Sequence, residues 1–96
     1  MLKNRIENSA AAEVIALKAL AFLASDEQRL THFLDVTGLS LAAIRSLAAD
    51  PAFLAGVFDH LRADQTLLFQ FSEAEGLPPD AIDKARRSLP GASDDI

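Results

Sequence analysis

His32 and His60 are the two histidines of this chain, and each has carboxylates at helical spacing: Asp35 lies one turn after His32, while Asp59 adjoins His60 and Asp64 lies one turn beyond it. A carboxylate beside an imidazole can orient it for proton transfer. On a helical projection His32 falls opposite Leu30 and Phe33, so the two groups read as separate polar pairs on solvent faces, without a catalytic or metal-binding role. Ser9, Ser25 and Ser40 stand where helix caps call for a hydroxyl. The absence of cysteine excludes thiolate catalysis, disulfides and cysteine-based zinc sites. There is no glycine-rich phosphate loop, no HExxH and no carboxylate constellation. The chain is expected not to be an enzyme and to hold no cofactor or metal.

A second arrangement has the spacing of nucleic-acid recognition. Phe33-Leu34-x-x-x-Gly38-Leu39-Ser40-x-x-x-Ile44-x-x-Leu47 places a glycine in a turn and an apolar anchor in the helix that follows, as a helix-turn-helix does. The face that would read DNA offers Ser40, Leu41, Ala42, Arg45 and Ser46. One cation cannot supply the phosphate contacts that dominate such binding. The net charge of −5 also opposes nucleic acid and anionic membrane as partners. Lys84, Arg86 and Arg87 form a local basic cluster, but Asp80 and Asp83 precede Lys84 and Arg87 by one helical turn, so surface ion pairs account for it.

Phe69 is the candidate for contact with another molecule. Leu68 and Phe71 define the buried stripe of its helix, and Phe69 points the other way, among acidic residues. An outward aromatic within a polar rim has the anatomy of a protein contact. The alternative is cover by the N-terminal residues Leu2 or Ile6. The partner expected is another protein or a second copy of this chain in a homodimer.

These residues require six helices to position them. The first spans 10–24, capped by Asn8 or Ser9, and its apolar residues Ala12, Ile15, Ala16, Ala19, Leu20, Phe22 and Leu23 spread so widely that neighbours should cover it on more than one side. Ser25-Asp26-Glu27-Gln28 reads as a capping box, with Asp26 at the start of the second helix. Asp50-Pro51 and Asp64 open the fourth and fifth. Gly38 and Gly76, each followed by leucine, read as left-handed C-caps. Ala52 and Gly56 suggest close approach of another backbone to the fourth helix. No segment alternates with a period of two, so the fold is expected to be all-α.

Displaced by 38 residues, Leu23, Asp26, Leu30, Phe33, Gly38, Leu39, Ala43 and Ile44 fall on Leu61, Asp64, Leu68, Phe71, Gly76, Leu77, Ala81 and Ile82. This predicts a compact six-helix domain over 10–89, made of stacked three-helix units at about 10–48 and 48–86. Residues 1–9 then form an N-terminal extension and 90–96 a flexible acidic tail. Lys3 and Arg5 precede an apolar run, but Glu13 and Lys18 interrupt it, leaving neither a secretory core nor a membrane span. A cytoplasmic location is expected, and the cysteine-free composition fits one.

The run Ala16-Leu17-x-x-Leu20-x-x-Leu23-x-x-Asp26-x-x-Arg29-Leu30-x-x-Phe33-Leu34-x-x-Thr37-Gly38-Leu39, with Asp50-Pro51-x-Phe53-Leu54 and Gly76-Leu77-Pro78-Pro79, resembles a family of short all-helical bacterial proteins catalogued as a domain of unknown function. The resemblance covers about 10–89 and rests on caps and core positions. It implies a bacterial cytoplasmic protein and assigns no activity. The functional expectation is a non-enzymatic interaction or accessory module; the alternative is a helix-turn-helix-like transcriptional regulator acting with a partner.

Overall fold

The computed structural model describes the backbone of residues 2–89 and the side chains of residues 10–89. Six helices follow in order: α1 Leu2–Ala24, α2 Glu27–Thr37, α3 Leu41–Leu47, α4 Pro51–Arg62, α5 Gln65–Glu75 and α6 Pro79–Arg87. The described residues contain no strand. α1 is longer than its apolar pattern implies: the helix backbone continues through residues 2–9, so Asn8 and Ser9 lie within it rather than at its start. An alanine-rich segment has high helix propensity and carries the helix past its amphipathic part. The expected acidic tail, 90–96, lies outside the described residues.

α1 is the central element, packed against α4, α6 and α2. Its buried face is small: Ala12, Ala16 and Ala19 are sealed, with Leu23 below them. Alanines on one face let neighbouring axes approach closely, and larger residues from those neighbours fill the core. α4 supplies Leu54, Ala55, Val57, Phe58 and Leu61, while Phe33, Phe71 and Ile82 enter from α2, α5 and α6. The neighbours cover one side of α1 only, and Val14 and Leu17 on the far side are 52% and 44% exposed. The expectation of cover on more than one side fails there. Gly56 is also not the close-approach point: it is exposed, and a Cβ there would meet nothing within 4 Å. The small residue buried in α4 is Ala55. On α3 Leu41 is exposed, and on α5 Ser72 is buried beside Phe71 in sequence.

Side-chain caps set the starts of α3, α4 and α5. Ser40 Oγ accepts from Ala43 N at 3.1 Å, Asp50 Oδ1 from Ala52 N at 3.0 Å, and Asp64 Oδ1 from Leu67 N at 3.2 Å. Asp26 occupies the N-cap of α2 but makes no side-chain capping bond. Its carboxylate lies 3.9 Å from Arg29 Nε instead. Ser25, expected to cap α2, closes α1 by donating its hydroxyl to the Phe22 carbonyl at 2.7 Å. With a single serine between two helices, the upstream carbonyl took the hydroxyl.

Gly38 and Gly76 have φ of 72° and 67° and end α2 and α5 in the left-handed conformation. The corners differ in detail. At Gly76 the Leu77 N–H reaches back to the Ser72 carbonyl at 3.0 Å, a Schellman closure reinforced by the Ser72 hydroxyl donating to the Leu77 carbonyl. At Gly38 a single bond runs from its N–H to the Leu34 carbonyl at 2.8 Å. Thr37 Oγ1 there donates to the Phe33 carbonyl at 2.8 Å and accepts from Leu39 N at 3.3 Å, so it intercepts the N–H that a Schellman closure would use.

The structure does not confirm the stacked-repeat expectation. Leu23 and Leu61, and Phe33 and Phe71, are indeed buried in pairs. However, α6 packs on α1, α4 and α5, whereas α3 makes no comparably extensive contact with any helix.

Candidate functional site

Helices α2 and α4 bring the two histidines together. The His32 and His60 rings lie 5.5 Å apart between centroids, and His60 meets the edge of Phe33 at 4.9 Å. Phe33 in turn meets Phe53 at 6.3 Å. The reading of two separate solvated pairs is therefore wrong: His32 is exposed, while His60 is half-buried in an aromatic row. Its Nε2 is buried and lacks a hydrogen-bond partner. Burial, and secondarily the neighbouring His32, push the His60 pKa below its ordinary 6.5, against a smaller opposing pull from Asp64. Asp59 does not orient His60, because its carboxylate is engaged with arginines.

Those arginines also correct the reading of the basic cluster. Arg86 is 8% exposed, and its Nε and Nη2 donate to Asp59 Oδ1 and Oδ2 at 2.8 and 3.2 Å. Arg62 Nε pairs with Asp83 at 3.0 Å and its Nη1 lies 3.7 Å from Asp59. The expected pairs along α6, Asp80 with Lys84 and Asp83 with Arg87, are not formed. The charges clamp α6 to α4, a task for the planar, two-pronged arginine head.

In front of His32, the starts of α2 and α5 border an open cleft of about 310 Å³ lined by residues that include Asp26, Arg29, Asp64 and Gln70. The Arg29 guanidinium lies 4.2 Å over the Phe22 ring and donates to Gln70 Oε1 at 3.4 Å. Phe22 packs on Phe71 at 5.5 Å, so Arg29 roofs the junction of α1, α2 and α5. The lining mixes carboxylates, amides and one exposed imidazole in an open trough. It can hydrogen-bond polar groups presented from outside, and it lacks the apolar enclosure typical of small-molecule sites. Among the described residues, no group of three or more histidine, aspartate or glutamate side chains could hold a metal ion.

Phe69, on the outer side of α5, is 49% exposed, and Gln65, Thr66, Gln70 and Glu73 around it are exposed. The side chains of Leu2 and Ile6, the alternative cover for Phe69, lie outside the described residues. The face of α3 that would have to read DNA is exposed at Ser40, Leu41, Ala42, Arg45 and Ser46. Sequence reasoning missed the meeting of His32 with His60, which had no local signal. It also missed that Val14 and Leu17 lie on an uncovered side of α1, because the wide apolar spread of that helix pointed to neighbours on more than one side.

The family described as "Protein of unknown function (DUF3572)" matches residues 9–92, and the chain belongs to that family. No curated protein and no solved structure matches the chain. No helix among the described residues is long and apolar enough to cross a membrane.

Proposed function

We propose that the chain is a non-enzymatic interaction or accessory module, working in the cytoplasm, that contacts another protein through Phe69. The observation that carries this is the half-exposed phenyl ring on the surface of α5, beside polar and acidic neighbours. Large aromatics concentrate at contact sites because one ring buries much apolar area at little conformational cost, and polar rims exclude water around it. The acidic balance of the chain favours a partner with a basic rim. Several polar residues elsewhere serve structure: Asp59 and Arg86 clamp helices, Arg29 roofs a junction, and Asp50 and Asp64 cap them.

The test is capture from native lysate on immobilised wild-type chain and on Phe69→Glu, after nuclease treatment. Proteins retained by the wild type and lost with Phe69→Glu support the reading, provided circular dichroism shows both chains folded. Identical retained sets on the two chains would sink it. The regulator alternative has no observation in its favour beyond the turn itself, with Arg45 as the cation of the exposed α3 face. A salt-dependent complex with duplex DNA would replace the first reading with the second.

A further inference from the structure

The far side of α1 carries a second apolar stripe, distinct from the one that faces the core. Ala10, Val14, Leu17, Ala21 and Ala24 recur at alternating steps of four and three, the spacing of a coiled-coil seam. All five are exposed, whereas Ala12, Ala16, Ala19 and Leu23 on the opposite side are sealed in the core. At 100° per residue the two stripes lie nearly diametrically opposed, so α2, α4 and α6 stand behind the outer stripe and leave it accessible.

In heptad terms Val14 and Ala21 occupy a positions, and Ala10, Leu17 and Ala24 occupy d positions. Glu13 then falls at g and Lys18 at the following e. In a parallel pair of helices a g residue meets the e residue five positions later on the partner, which sets Glu13 of one chain against Lys18 of the other, twice by symmetry. An antiparallel pair places g beside g and e beside e, and forfeits this match. Neither Glu13 nor Lys18 has an ion-pair partner within the chain among the described residues. Continuing the register toward the N-terminus reaches Glu7 and Lys3, so the apolar seam begins at Ala10 and spans two heptads.

We propose that a second copy of this chain docks on this stripe, giving a parallel two-fold dimer along α1 with reciprocal Glu13–Lys18 pairs. The inference rests on the interaction reading above and names one partner for it on a face other than that of Phe69. A seam of two heptads with alanine at three of its five apolar positions gives a dimer that dissociates on dilution and weakens in salt.

Sedimentation equilibrium of the full chain over a range of concentrations tests this, with circular dichroism as the folding control. The wild type should pass from monomer to dimer. Leu17→Glu should weaken the dimer by about tenfold or more while leaving the helical signal, since Leu17 makes no part of the core. Glu13→Lys should weaken it, and the double reversal Glu13→Lys with Lys18→Glu should restore it. The chain has no cysteine, so Val14→Cys and Leu17→Cys can each be oxidised alone. In a parallel seam both cross-link to their own copies, as facing positions lie within disulfide reach. A wild type that stays monomeric, a dimer indifferent to Leu17→Glu, or a double reversal without recovery overturns the proposal. A dimer broken by Phe69→Glu and not by Leu17→Glu overturns it as well, and upholds the Phe69 contact. Loss of lysate partners with Phe69→Glu, beside an intact α1 dimer, would leave both standing.

Discussion

Among the described residues, His60 carries the clearest pH signature. An unfolded chain binds the imidazole proton near the ordinary 6.5, and the folded chain binds it only at lower pH. As pH falls, the unfolded state takes up the proton first, so stability is full above about 6.5, declines below it, and levels off beneath the folded-state pKa. His60→Phe removes that titration and the unpartnered Nε2 while keeping a flat ring against Phe33. Thermal melts should show this variant at least as stable as wild type at pH 7 and flatter with acidification. A wild-type acid slope that survives in His60→Phe would assign the titration elsewhere. The ion pairs divide by burial. Arg86→Ala should destabilise by about 2 kcal/mol, because it removes two charge-assisted bonds at a buried guanidinium. Asp83→Ala breaks a half-exposed pair and should cost less than about 1 kcal/mol. Denaturant titrations that rank these two the other way would refute the clamp assigned to Arg86.

At the scale of the helix, the glycines separate by conformation. Gly38 and Gly76 hold left-handed backbone, which strains any residue with a Cβ, so Gly→Ala at either should cost about 1 kcal/mol. Gly56 sits in ordinary helical backbone with open space where a Cβ would go. Gly56→Ala should therefore stabilise α4 by about 1 kcal/mol, through propensity alone. Chemical denaturation of the three variants checks both signs together. The caps were legible for local reasons, since Asp50, Asp64 and Ser40 act within three residues of themselves. Ser25 and Asp26 were not, because Ser25 lies between two helix ends and Asp26 has Arg29 one turn away as a rival partner.

For the molecule as a whole, stability should fall off from α1 and α4 toward α3. The first two bury most of the core, while α3 contributes Ile44 as its one buried residue. Native-state hydrogen exchange should find the amides of α3 opening at a free energy well below those of α4. Uniform protection across the six helices would mean that α3 is docked more firmly than its contacts imply.

The sequence by itself determined the class of fold, the places where the chain turns, and most of the buried stripe of each helix. Periodicity, capping side chains and left-handed glycines act over a few residues and leave their mark in order along the chain. Tertiary structure alone decided which partner each polar group took and how far around α1 its neighbours reach. Asp83 had a cation one turn away on its own helix and paired with Arg62 of α4 instead, and Asp59 was claimed by Arg86 of α6. His32 and His60, distant in sequence, became neighbours. Ala12, Ala16 and Ala19 hold the core face of α1 and Val14 and Leu17 stay outside, because α2, α4 and α6 bring their larger side chains against one side of that helix. Helical spacing already grouped those alanines with Ile15, Leu20, Phe22 and Leu23, but only the placement of the other helices left the opposite side bare.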